Sequence, residues 1–155
     1  MNELIYHFFD DDEFLRISNT IKEVELVTSG EIRVSFKERR KFSERNSSLL
    51  SIAEKEFYSL NMHQTRDKTG ILLLFILEER QFYVLADEGI DKLVGTSVWE
   101  DVAKNLQKDF EHGYFSEGII NGVRKVGNIL SEHFPIKEDD QNELTNKVVL
   151  PGKKF

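Results

Sequence analysis

Hydrophobic side chains recur along this chain in two different periods. After the acidic run Asp10-Asp11-Asp12-Glu13, residues Phe14, Ile17, Ile21 and Val24 fall at three- and four-residue spacing. That spacing predicts a helix with one apolar stripe, and acids in its first turn suit the positive end of the helix dipole. Thr28-Ser29-Gly30 breaks the pattern, and Glu31 to Lys37 then alternates strictly, with Ile32, Val34 and Phe36 on one face. This predicts a half-buried strand. A second helix is expected from about Ser43 to Leu60, with Leu49, Ile52, Ala53, Phe57 and Leu60 as its stripe.

Ile71 to Leu77 is apolar without alternation, as befits a central strand covered on both faces. Glu78-Glu79-Arg80 turns the chain, and Gln81 to Ala86 returns as the hairpin partner. Ser97 and Glu100 have the spacing of a capping box, followed by a stripe of Val98, Val102, Leu106 and Phe110 that Gly113 stops. A last helix, opened near Ser116, carries Ile119, Val123, Val126, Leu130 and Phe134 and ends at Pro135. The order is αβαββαα, an α/β fold. The first two strands flank a crossover helix and are therefore parallel, the third is antiparallel to the second, and the expected architecture is an α/β/α sandwich around a mixed sheet.

Composition narrows the picture without changing it. A chain of 155 residues is the size of one domain, here expected over 1–136, with 137–155 an acidic linker and tail that ends in a short edge strand or loose end. Cysteine is absent, so disulfides, thiolate-bound zinc and iron–sulfur clusters are excluded, and any metal must sit on oxygen or imidazole. A net charge of -7 argues against nucleic acid, whose binding depends on clustered Lys and Arg. The basic run from Lys37 to Lys41 reads as a solvated strand end. No apolar run is long enough to span a membrane and the N-terminus lacks a signal-peptide pattern, so a cytoplasmic location is expected.

The strand order carries the candidate chemistry. Parallel strands start at the sheet edge where an antiparallel strand ends, so Glu31, the segment Asp67 to Gly70, and Asp87-Glu88-Gly89 should share one rim. Asp67, Asp87, Glu88 and Asp91, with Glu31 as a neighbour, would crowd there, and like charges that crowd need a proton or a cation. Carboxylate and carbonyl oxygens suit a hard ion, Ca²⁺ or Mg²⁺. The plainer alternative is that these acids solvate a loop or favour the dipole of the following helix. The histidines, His7, His63, His112 and His133, show no paired metal spacing, and no phosphate-binding glycine motif or catalytic triad order is present.

Several ordered stretches resemble the TPM domain family, which is named for a thylakoid lumen phosphatase, a photosystem II repair protein and a modulator of a levamisole receptor. They are Thr28 to Val34, Met62 to Thr65, Thr69 to Leu74, Asp87 to Asp91 and Phe110 to Ile119. The similarity covers roughly 5–136 and is nearest the short, stand-alone bacterial branch. It implies an α/β/α sandwich, divalent metal at the loops of one sheet edge and, for plant members, acid phosphatase activity. The family's Asp-Asn-Gly before the second strand falls on Lys68-Thr69-Gly70, with Asp67 one position from the family's acid. Its Gly-Leu-Glu after the third strand falls on Gly89-Ile90-Asp91. A further acid of the plant-like pattern falls near Gly95 to Ser97, where this chain has none, which argues against a paired-cation site. The expected function is divalent cation binding at the rim. The alternatives are metal-assisted phosphomonoester hydrolysis and a non-catalytic module for a protein partner.

Overall fold

The computed structural model describes residues 4–136 and 148–151. The first helix, α1 (Asp11–Glu25), opens on a capping box in which the Asp10 carboxylate accepts from the Glu13 N–H at 2.8 Å and the Glu13 carboxylate accepts from the Asp10 N–H at 3.0 Å. Strand β1 (Glu31–Lys37) follows, then α2 (Leu49–Ser59), β2 (Gly70–Ile76) and β3 (Gln81–Ala86). Three helices complete the layers: α3 (Glu88–Val94), α4 (Thr96–Glu111) and α5 (Phe115–His133). Val148–Val149 add a short strand, β4, parallel to β1.

The sheet order is β3-β2-β1-β4, with β1 and β2 parallel and β3 antiparallel to β2, as the crossover argument requires. The expected αβαββαα order holds, with the short α3 added between β3 and α4. On one face, α1, α4 and α5 bury Ile32, Val34, Phe36, Ile71, Leu73 and Phe75. On the other, α2 covers Leu72, Leu74 and Ile76. The abundance of phenylalanine has its reason in the first layer. Rings of Phe9, Phe36, Phe75, Phe110 and Phe115 contact one another in sequence, with centroids between 5.1 and 5.9 Å apart.

Three local expectations are corrected. Strand β1 is not half-buried, because its polar face also lies inside: Glu31, Arg33 and Ser35 are all buried, and Arg33 and Ser35 reach α2 and its C-cap. The Arg33 guanidinium donates to the Leu60 carbonyl at 3.0 Å and the Ser35 hydroxyl donates to the Glu56 carboxylate, so this face is satisfied by polar contacts instead of by water. Burial lowers the Arg33 pKa, while the charges of Glu31, Glu25 and Glu56 oppose that shift.

The second helix starts at Leu49, the first residue of its apolar stripe, and not near Ser43. Ser48 caps it by accepting from the Ser51 N–H at 3.1 Å, and Phe42–Glu44 form a separate 3₁₀ turn pinned by a Lys37–Glu44 ion pair of 3.2 Å. Burial pushes the Glu44 carboxyl up, but hydrogen bonds from the Lys41 N–H and the Lys37 ammonium outweigh it and hold the group below its ordinary value. Finally, Ser97 is not a cap: α4 begins at Thr96 directly after Gly95, whose φ of 89° ends α3 and leaves no side-chain cap for the next helix.

The basic run after β1 is tied to the β2–β3 hairpin. Arg39 pairs with Glu78 at 2.9 Å and Arg40 with Glu79 at 2.7 Å, so the charges at the strand end meet the acids of the turn. The expected acidic linker over 137–147 and the final four residues lie outside the described residues. No helix among the described residues is long and apolar enough to cross a membrane.

Candidate functional site

The backbone brings the three rim segments together. The Glu31 N–H donates to the Thr69 carbonyl at 3.0 Å, and the Asp87 N–H donates to the Gly70 carbonyl at 2.9 Å. Gly89 then packs directly on the loop before β2: a Cβ built at Gly89 would stand 2.3 Å from the Asp67 carbonyl oxygen and 2.5 Å from that of Lys68. Only glycine fits so close an approach. Lys68 itself takes a left-handed conformation, with φ of 56°, and its ammonium donates to the His63 carbonyl at 2.8 Å. The Thr65 hydroxyl accepts from the Thr69 N–H at 3.1 Å and so fixes the base of this loop.

The side chains gather less than the backbone does. Asp87 is the N-cap of α3, and its Oδ1 accepts from the Glu88 N–H at 2.8 Å. Its Oδ2 is buried and has no hydrogen-bond partner. Glu88 and Asp91 lie on the first turn of α3 and are exposed. Asp67 is also exposed, with Arg66 Nε 3.5 Å from its carboxylate. Glu31 is buried and its charge acts on Arg33. The segment after β3 is thus a helix start, which gives Asp87, Glu88 and Asp91 a share in stabilising the α3 N-terminus, in line with the helix-dipole alternative. Among the described residues, no three acidic or histidine side chains stand close enough together to hold a metal ion.

Two further groups near this end of the sheet carry no sequence signal. His63 Nδ1 is buried without a partner, its ring 4.7 Å from that of Tyr58. Beside α3 a groove of about 310 Å³ opens against β3, lined by Tyr83, Asp91, Trp99 and Glu100 among others. Trp99 is buried in the core and also borders this cleft, an arrangement that only the tertiary structure shows.

A family model of the TPM domain matches residues 6–129. The chain belongs to the TPM domain family. The solution structure of the BA42 protein from the psychrophilic bacterium Bizionia argentinensis superposes with a TM-score of 0.82 at 30% identity, covering 92% of this chain and 94% of that one. The N-terminal domain of a P. gingivalis protein matches with a TM-score of 0.65 at 15% identity, over 82% of this chain and 79% of that one, a likeness of fold alone. No curated protein matches the sequence significantly. In TPM-domain terms, the glycines at positions 70 and 89 are both places where backbone passes close. A Cβ at Gly70 would lie 3.2 Å from the Met62 carbonyl oxygen.

Proposed function

We propose that this TPM-domain protein binds one divalent cation, Ca²⁺ or Mg²⁺, at the rim where the loop before β2 meets the start of α3. The observation that carries the reading is Asp87 Oδ2, a buried carboxylate oxygen with no hydrogen-bond donor, held at the junction of the converging segments. Such an oxygen is costly to bury unless a proton or cation compensates it. The backbone carbonyls of Asp67 and Lys68 lie against Gly89 in the same corner, and hard cations accept carbonyl and carboxylate oxygens alike. Asp87 would be the central ligand, with water completing the shell; Asp67, Glu88 and Asp91 lie in the same two segments, and their exposed side chains would join only by turning toward the ion. Glu31, buried beside Arg33, has the least support as a ligand.

A bound cation would supply Lewis acidity to a phosphate oxygen. Among the described residues no three acids or histidines stand together, so the set of acids that paired-cation hydrolysis needs is not assembled. Cation binding without turnover is therefore the reading of choice.

An amide-resolved NMR titration of the metal-free protein with Ca²⁺ and then Mg²⁺ tests it. Saturable shifts confined to 67–70 and 87–91, lost when Asp87 and Asp91 are both replaced by Asn, are expected. Absence of saturable shifts there would refute cation binding and leave the acids as helix-start residues.

A further inference from the structure

Strand β3 is the outer strand of the sheet, on the side opposite β4. The Asp87 N–H bonds to the Gly70 carbonyl, and the register pairs Leu85 with Leu72 and Tyr83 with Leu74. In an antiparallel pair the hydrogen-bonding direction alternates, so Gln81, Tyr83 and Leu85 bond toward β2 while the N–H and C=O groups of Phe82, Val84 and Ala86 turn outward. No strand among the described residues pairs with that edge. Edges are commonly blunted by lysine, proline or a bulge. The sequence Gln81 to Ala86 has no charge and no proline, and its register with β2 is unbroken.

This edge forms the floor of a groove. Leu50 of α2 stands on one side, and Thr96, Trp99, Glu100 and Ala103 of α4 stand on the other, around about 310 Å³ of space. Trp99 is almost fully buried, and its indole N–H has no acceptor. The groove is acidic: Asp91 and Glu100 line it, and burial together with the charges of Glu54, Asp91 and Glu100 raises the Tyr83 pKa.

We propose that the β3 edge is a docking groove for an extended, basic segment of a partner protein, which adds to the sheet as a fifth strand. Backbone bonds to Phe82, Val84 and Ala86 supply the pairing, and lysine or arginine side chains of the segment meet Glu54, Asp91 and Glu100. Charge complementarity selects this occupant. A second copy would bring the same acids onto one another in a chain whose net charge is already -7. The chain's own strand β4 is placed on the far edge, against β1. The inference goes beyond the cation reading, and its test is run in EDTA so that the two fail separately.

The probe is a capped hexapeptide of alternating lysine and valine, titrated into the isotope-labelled protein, with an alternating glutamate and valine peptide as control. Saturable shifts at the amides of Phe82, Val84 and Ala86 and at the Trp99 indole are expected, weakening as salt is added. The double variant Glu54→Lys with Glu100→Lys, both positions exposed, should lose at least about tenfold in affinity while keeping its unperturbed spectrum elsewhere. Equal binding of the acidic peptide, shifts located away from β3, or affinity unchanged in the double variant would each overturn the proposal. So would concentration-dependent self-association through these same amides without peptide, which would assign the edge to a second copy.

Discussion

Asp87 does two things at once, one with each carboxylate oxygen. Oδ1 caps α3 through the Glu88 N–H, and Oδ2 is buried and unpartnered. The two roles respond differently to substitution, because asparagine caps a helix about as well as aspartate but carries no charge. Asp87→Asn should therefore retain the stability of the parent and lose Ca²⁺ binding. Asp87→Ala should lose binding as well and destabilise the fold by about 1 kcal/mol. Urea denaturation beside calorimetric Ca²⁺ titration of the two variants separates these effects. If Asp87→Asn binds Ca²⁺ like the parent, the oxygen is not a ligand.

Among the elements, α3 depends most on its neighbours. It is short, and isolated helices of that length are not stable in water. Its position follows from Gly89 resting on the Asp67 and Lys68 carbonyls and from Ile90, which is fully buried in the larger core. A methyl group at position 89 must push against backbone atoms, which have less freedom to yield than a side-chain tip. Gly89→Ala is expected to cost about 1–3 kcal/mol in chemical denaturation and to displace the amide resonances of 67–70 together with those of α3. A stable Gly89→Ala with unmoved resonances would show that the two segments are not packed as described. The contact between α1 and α5 has the same character, since a Cβ at Gly127 would stand 2.6 Å from the Val24 Cβ.

At the scale of the whole molecule, the sheet has two covered faces and two unlike edges. One edge is occupied by β4, and the other lies open in an acidic groove. The rim at the start of β1 and β2 is a third feature, distinct from both edges because it gathers strand ends and not strand sides. Any ligand that binds the folded rim and not the unfolded chain must stabilise the entire domain by mass action. At a Ca²⁺ concentration of about 100 times Kd, the gain is about 2.7 kcal/mol, or a rise in Tm of about 5–10 °C for a domain of this size. Thermal unfolding with and without Ca²⁺, at matched ionic strength, reads this directly. A Tm insensitive to both Ca²⁺ and Mg²⁺ up to millimolar concentration would remove the proposed function.

By itself the sequence determined the sandwich. Apolar spacing in α1, α4 and α5, the continuous run of β2 and the crossover rule gave element types, their order and the strand directions, because those depend on local period and chain connectivity. It also placed the segments around Glu31, Asp67 and Asp87 on one rim, since topology alone dictates which strand ends meet. Tertiary structure decided where the side chains of those segments go. Glu31 is buried, with its charge acting on Arg33, on a strand whose polar face is covered as well as its apolar one. Glu88 and Asp91 joined the first turn of α3, whose formation rests on contacts made by Gly89 and Ile90 to distant parts of the chain. The groove beside β3 was equally invisible, since its walls come from α2 and α4 and its floor from a strand edge. Periodicity records which residues are buried, whereas a site is made by distances between residues far apart in the chain, and those are fixed only when the layers pack.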